Sequence, residues 1–333
     1  MTRFALSPYY HPTTVCFVDD NQSFLLSLDL ELPEYWTHCS FVDPEEALQY
    51  LNREPLLPPL VDRCFSIESG HNANPVIHLE MGMIEQEINH LERFARTSVA
   101  VIDYAMPSLD GLELCARLTD PYLQKAMLTG VADEKVAVAA FNEGLIDRFS
   151  AKHKLASTSK IIEFVDALKH VYFSQHTARL RNNLALDPPL FLLDQRIAHE
   201  VQRLMSDRKL IEYYLVTDPP GLLLLDAPGN LCRLLIADEA MLSSQLEFAR
   251  QHAAPSTVID ALAQRRQLAY LWDTPDNYFG NEEYPWEEHL LPATVVEGDR
   301  RWYLALAEDP PTDIDFDPAK SSFNAYLRSL SAG

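Results

Sequence analysis

Positive charge is scarce in this chain. Lysine and arginine total 27 against 49 aspartates and glutamates, a net charge of −22 over 333 residues, and the deficit runs through both halves. Neutralising a nucleic-acid backbone takes clustered lysines and arginines, so no nucleic-acid partner is expected. Long apolar runs are missing too: no stretch reaches 18 apolar residues, and no membrane span is implied. The opening residues, MTRFALSPYYHPTT, lack the apolar core of a signal peptide. The five cysteines (Cys16, Cys39, Cys64, Cys115 and Cys232) include no CxxC pair, which fits a reduced cytoplasmic protein. Apolar residues, in contrast, make up 47% of the chain, ample for packed cores, and the length suggests two domains at roughly 100–200 residues each.

The first half alternates strand and helix signals. Thr14-Val-Cys-Phe-Val18 is a short, wholly apolar strand pattern that stops at Asp19-Asp20-Asn21. Phe24, Leu25, Leu28 and Leu32 follow at helical spacing until Pro33 stops them. Thr37 to Val42 reads as a second strand. Asp43-Pro44-Glu45-Glu46 then opens a helix, with a capping acid, a first-turn proline and acids at the positive dipole end. Prolines and glycines punctuate 55–82, which reads as an insertion loop. Ile84, Ile88, Leu91 and Ala95 put one helical face on 83–96. Val99 to Ile102 is another apolar strand ending at Asp103, Lys125 to Leu128 one ending at Thr129, and Ile146 to Ser150 one ending near Lys152. Helical patterns at 110–118 and 133–143 lie between them. Strand then helix, repeated five times, predicts an α/β fold with a doubly wound five-stranded parallel sheet. A long helix is expected over 157–182, with a stripe at 161, 165, 168 and 172. Core packing takes that stripe first, and a helical lever or coiled-coil stem past Phe173 is the sharper alternative.

Ligands of such sheets bind beyond the carboxyl ends of the strands. Asp19, Asp20, Asp103, Thr129 and Lys152 all fall there. Three clustered carboxylates resist joint ionisation without a cation. A hard divalent ion, most naturally Mg²⁺, relieves the repulsion, and a hydroxyl and an ammonium opposite suit phosphoryl oxygens. Such a site suits transfer of a phosphoryl group onto a carboxylate.

The segments FVDD at 17–20, VAVIDYAMPSLDGLEL at 99–114, AMLTG at 126–130 and RFSAK at 148–152 resemble the receiver domain of two-component response regulators, over about residues 12–156. DxxMPxxDG is a specific motif. The resemblance implies a flavodoxin-like fold and a role for each residue. Asp103 is the expected phosphoacceptor. Asp19, Asp20, Asp103 and the backbone carbonyl of Ala105 are the expected Mg²⁺ ligands, Asp20 the more direct of the two N-terminal acids. Thr129 is the switch hydroxyl, Phe149 the rotating aromatic and Lys152 the phosphate-binding lysine. It also implies a histidine kinase or phosphotransfer protein as partner and a bacterial cytoplasm as location.

The sequence departs from the family pattern in places. Asp20 and Asp103 are 83 residues apart, about twice the usual family spacing, which the insertion accounts for. His153 stands where the family usually has proline, so the peptide there need not be cis. Ala105 and Val131 are apolar where the family often carries side chains that orient the hydrolytic water, so slow dephosphorylation is expected. Cys64, His71, His78 and His90 lie in or near the insertion, but their spacing matches no close-paired zinc pattern.

The domain reading is therefore a receiver over 1–156 with an insertion at about 55–96, a helical connector over 157–210 and an α+β output or interaction domain over 211–333. In the last, residues 213–236 read as a three-strand meander with tight turns, 238–252 and 256–265 as helices, 267–273 as a strand and 294–306 as a hairpin. That order distantly resembles a PAS-like fold. The acidic stretch 267–319, with Arg300 and Arg301 against thirteen acids, reads as a solvated face. There is no helix-turn-helix with a basic helix, no P-loop, no GxSxG, and no GGDEF, EAL or HD-GYP segment. Tyr213, Tyr214, Trp272, Tyr278, Phe279, Trp286 and Trp302 are candidates for a pocket or partner surface, most of them for the core. Asp273, Asp276, Glu282, Glu283, Glu287 and His289 are the dense polar candidates for an enzymatic site, at irregular spacing. Phosphorylation-controlled signalling, with an output domain that binds a protein partner, a ligand or a second copy, is the leading expectation. A scaffold that takes no phosphate, or an enzymatic output, are the alternatives.

Overall fold

The computed structural model describes residues 5–33, 36–68, 76–130, 134–152, 158–178, 180, 189–270, 285–298, 300–308 and 315–331. The chain divides into two compact units. One comprises Met1–Tyr10, Arg63–Asn89 and Leu180–Ala325, the other His11–Asp62, His90–Arg179 and Tyr326–Gly333. Among the described residues no helix is long and apolar enough to cross a membrane.

The second of these units holds a five-stranded parallel sheet. Its strands are β2 (Thr14–Val18), β3 (His38–Phe41), β6 (Thr97–Asp103), β7 (Gln124–Thr129) and β8 (Arg148–Ala151), in the order β3-β2-β6-β7-β8. Every residue of β2 is buried, as a parallel strand covered on both faces requires. Alternate side chains feed two cores. Cys16, Val18, Ala100, Ile102 and Met127 pack with helices α2 (Pro44–Leu51), α5 (Gly111–Arg117) and α6 (Glu134–Asn142). Val15, Phe17, Val99, Val101 and Leu128 pack with α1 (Gln22–Glu31) and α7 (Thr158–His176). The stripe of α7 at Ile161, Val165, Leu168 and Tyr172 is buried, so it serves the core. Strand order reverses between β2 and β6, and this opens a crevice at their carboxyl ends.

The other unit is built on a six-stranded antiparallel sheet. Its order is β1-β9-β10-β11-β15-β14, with β1 (Tyr9–Tyr10), β9 (Leu210–Thr217), β10 (Pro220–Asp226), β11 (Leu231–Ala237), β14 (Thr294–Glu297) and β15 (Arg301–Ala307). The expected meander and hairpin are both present. Asp226 ties the β10–β11 turn by accepting from the backbone N–H of Gly229 at 2.9 Å and Asn230 at 2.7 Å. Gly229 sits at φ +93°, a backbone region that side chains rarely adopt. Helices Gln195–Arg208, Glu239–Gln251 and Ser256–Ala263 flank the sheet elements, and β12 (Gln267–Ala269) pairs with β13 (Leu290–Pro292). Buried Asp194 caps the first helix and accepts from the Trp302 indole N–H at 2.8 Å.

The insertion differs from the expected loop. It contains a short helix α3 (Leu60–Arg63), a hairpin of β4 (Phe65–Glu68) and β5 (Val76–Leu79), and a short helix α4 (Gly82–Gln86). In place of one helix over 83–96, α4 passes into two 3-10 turns, Glu87–Asn89 and Leu91–Ala95, separated at His90 by extended backbone. The turns bury Glu87, Arg93 and Phe94, and the Glu87 carboxylate is satisfied by an ion pair with Arg63.

Candidate functional site

Each site residue ends a strand that the core has fixed in place. Buried β2 stops at Asp19, which is 2% exposed, and Asp20 turns outward. Asn21 then caps α1, its side chain accepting from Phe24 N–H at 3.1 Å while its own N–H donates to Asp19 Oδ1 at 3.0 Å. One residue thus starts the helix and aims the Asp19 carboxylate. At the end of β6, Asp103 is buried and register-paired with Leu128. Thr129 follows on β7, paired with Ala151 of β8, and Lys152 comes next. Hydroxyl and ammonium are therefore delivered by consecutive positions of neighbouring strands.

The loop after Asp103 is held by the motif that follows it. Gly111 N–H donates to Tyr104 O at 3.0 Å, and Asp110 caps α5 by accepting from Glu113 N–H at 2.8 Å. A Cβ on Gly111 would lie 2.3 Å from the Asp103 carbonyl oxygen. The glycine of DxxMPxxDG is thus required by the close approach of α5 to the acid-bearing strand. That role was open to reading from the motif, yet the spacing assigns it no function.

Asp19, Asp20 and Asp103 bring one carboxylate oxygen each to within 4.8 Å of one another. Among the described residues this is the one group of three such side chains arranged to hold a metal ion. Lys152 Nζ donates to Asp19 Oδ2 at 2.7 Å, lies 3.0 Å from Asp103 Oδ1 and sits 5.4 Å over the Phe24 ring. Burial raises the Asp103 carboxyl above the usual range. The Lys152 bond opposes that rise and the Asp19 charge adds to it. Burial pulls the Lys152 ammonium down, but its bonds to Asp19 and Asp103 together carry it above the usual lysine range. Three carboxylates brought together, with Lys152 as the ammonium between two of them, make a site that a cation would favour. An all-oxygen donor set fits a hard divalent cation such as Mg²⁺. The Thr129 hydroxyl is wholly buried and has no hydrogen-bond partner among the described residues, which leaves a donor aimed at no protein acceptor.

The remaining expectations fare unevenly. Ala105 is exposed two residues past Asp103. Phe149 is half-buried, with its ring 6.1 Å from Phe141 and edge-on to it. Val131, His153 and His71 lie outside the described residues, as do Trp272, Asp273, Asp276, Tyr278, Phe279, Glu282 and Glu283. Cys64 is buried, whereas His78 is exposed. Tyr213, Tyr214, Trp286 and Trp302 are buried core, and Trp302 also lines a cavity of about 400 Å³ with Phe191, Val216, Ile236 and Met241. Glu287 accepts from Thr257 Oγ1 at 3.1 Å on the surface. The sequence reading missed Asn21 and Phe24, whose contacts with Asp19 and Lys152 have no signal beyond proximity in a helix start.

No family model matches the chain, and no curated protein matches it. Among solved structures it is similar to the Legionella pneumophila response regulator LqsR, with 30% identity over 98% of this chain and 97% of that one, at a TM-score of 0.81. It also matches the signal receiver domain of an HD domain-containing protein from Pseudomonas fluorescens, at 20% identity over 50% of this chain and 94% of that one, TM-score 0.35. A CheY-like receiver domain protein from Methanospirillum hungatei matches at 17% identity over 49% and 98%, TM-score 0.32.

Proposed function

The chain belongs to the response regulators, and from that premise we propose that Asp103 accepts a phosphoryl group and thereby switches the output of the chain. The supporting observation is the convergence of Asp19, Asp20, Asp103 and Lys152 beside a buried Thr129 hydroxyl that has no hydrogen-bond partner among the described residues. The donor is a phosphohistidine of a histidine kinase or phosphotransfer protein, or a small acyl phosphate. Asp19, Asp20, Asp103 and the Ala105 backbone carbonyl would hold Mg²⁺, which supplies charge neutralisation at the phosphoryl oxygens when bound.

In the transfer, an Asp103 carboxylate oxygen forms a bond to phosphorus as the bond from phosphorus to the donor atom breaks, and the leaving group takes the electron pair. Lys152, already beside both buried acids, donates to a phosphoryl oxygen and offsets the charge Asp103 gains. Thr129 finds in another phosphoryl oxygen an acceptor that the described residues do not provide. These contacts exist only with the phosphoryl group present, so they favour one receiver conformation over another. Phe149, the second residue of β8, packs differently in the two. The unit containing Leu180–Ala325 carries the output by binding a protein or a small molecule. Its Trp302-lined cavity supports that role.

Incubating the full chain with acetyl phosphate and Mg²⁺ tests the proposal. Intact mass should rise by about 80 Da in the wild type and stay unchanged in Asp103→Asn, with chelation of Mg²⁺ also suppressing the gain. Equal gains in both proteins would reject it.

A further inference from the structure

Two thiols outside the acid pocket stand side by side. Cys16 on β2 and Cys39 on β3 are register partners in a parallel pair, and both side chains pack on the same face of the sheet. Adjacent strands lie about 4.8 Å apart, within the roughly 4.4–6.8 Å Cα separation that a disulfide spans. The thiols are within hydrogen-bonding reach of each other, and the Tyr50 hydroxyl reaches Cys39 from α2. Cys39 belongs to the edge strand and is half-buried, whereas Cys16 is fully buried.

The two sulfurs are chemically unequal. The Cys16 thiol holds Cys39 below the usual thiol range against the effect of burial, and the Tyr50 hydroxyl and the Arg53 charge add to this. The same contact, with burial, pushes Cys16 well up. Arg53 stacks over the Tyr50 ring at 4.5 Å, so cation and hydroxyl are held as one group. Tyr50 and Arg53 both line a cavity of about 460 Å³ that runs along Arg96, Thr97 and Tyr122. That cavity is bounded by the Tyr50 side chain that touches Cys39. A thiolate-prone, partly exposed cysteine beside a second thiol is the arrangement that redox-sensing pairs require. The other three cysteines lack this character: burial pushes Cys64 and Cys115 up to about 12 and Cys232 up to about 11.

We propose that Cys16 and Cys39 form a redox modification site, converted by a hydroperoxide into a disulfide that ties β3 to β2. The Cys39 thiolate attacks the terminal peroxide oxygen and the O–O bond breaks. This leaves Cys39 as a sulfenic acid and releases an alkoxide, or hydroxide from hydrogen peroxide, which takes up a proton. The Cys16 sulfur, giving up its proton, then attacks the Cys39 sulfur, and the S–O bond breaks with loss of water. In sum, two thiols and one hydroperoxide give one disulfide, one water and one alcohol, or a second water from hydrogen peroxide. Cys16 lies three residues before Asp19, so the crosslink forms on the strand that carries the acid pair.

The test is a thiol map of the full chain after brief treatment with hydrogen peroxide, followed by alkylation in denaturant and peptide mass analysis. The wild type should lose two of its five alkylatable thiols. A Cys16–Cys39 linked peptide pair about 2 Da lighter than the two reduced peptides should appear, and a dithiol should reverse it. Cys16→Ser removes the attacking thiol, so dimedone should then trap a sulfenic acid at Cys39. Five alkylatable thiols remaining in the wild type, or a linked pair that excludes either cysteine, would overturn the proposal. The wild-type map decides the matter even if the variant fails to fold.

Discussion

Lys152 Nζ lies 2.7 Å from Asp19 Oδ2, joining residues 133 positions apart at the carboxyl edge of one sheet. Asp19 is almost fully buried, while the Lys152 side chain is 34% exposed. The ion pair therefore opens toward solvent on the cation's side. The ammonium is thus within reach of solvent while the Asp19 carboxylate is not.

Replacing Lys152 by Met leaves three carboxylates facing one another. Breaking a buried pair costs about 3–5 kcal/mol, and the partial exposure of Lys152 cuts the expected loss to about 1–2 kcal/mol. Urea unfolding without divalent ions should show that deficit. Millimolar Mg²⁺ should shrink it, because the ion replaces the missing positive charge.

Asp103 gives a pH dependence of known sign. Its folded-state carboxyl is raised, chiefly by burial, so the folded state binds that proton more tightly than the unfolded chain does. The resulting stability is complete below the ordinary carboxylate range, near pH ~4, and is lost as pH rises through the raised value. Asp103→Asn should be no more stable than wild type at pH ~3.5 and more stable at pH ~7 in metal-free buffer. Thermal melts across that range check the trend. A gap that narrows with rising pH would contradict it.

Gly111→Ala places a Cβ 2.3 Å from the backbone oxygen of Asp103. No side-chain rotation relieves a clash with backbone, so the loop must move. A stability loss of about 1–3 kcal/mol is expected, as for other overpacked sites. Phosphoryl uptake should fall with it, because the displaced atom belongs to the proposed acceptor, Asp103. Retention of full uptake would show that the loop yields without moving Asp103.

The antiparallel unit has its own structural pin in Asp194. Asp194→Ala removes the cap on Arg196 N–H and leaves the buried Trp302 indole N–H without this acceptor. Loss of a cap costs about 1 kcal/mol and a stranded buried donor about 1–3 kcal/mol. Denaturant melts should show a drop of about 2–4 kcal/mol that Mg²⁺ does not relieve.

The parallel sheet was legible in the sequence because burial on both faces writes itself as continuous apolar runs, TVCFV and VAVI among them, each ending at a polar residue. Asp19, Asp103, Thr129 and Lys152 could be placed together from those endings alone. The insertion was not legible. Its hairpin, Phe65–Glu68 with Val76–Leu79, is short and set among turn residues, so period-two alternation has too few positions to register. The pattern of Ile84, Ile88 and Leu91 promised one helix, but a short helix and a 3-10 turn bury Ile84 and Ile88, and the chain extends at His90 so that Leu91 is only half-buried. The pairing of Tyr9–Tyr10 with Tyr213 and Tyr214 spans about two hundred residues and two positions, below what any local pattern can express. The Cys16–Cys39 contact was equally hidden. It depends on parallel register, which no cysteine spacing encodes.

The central claim is that Asp103 itself carries the phosphoryl group, and borohydride mapping tests it most directly. The full chain is treated with acetyl phosphate and Mg²⁺, then reduced, which converts an aspartyl phosphate to homoserine. Peptide sequencing by mass should find residue 103 lighter by about 14 Da, with Asp19 and Asp20 unchanged. An unmodified Asp103 in phosphorylated protein, or homoserine at any other position, would contradict the claim.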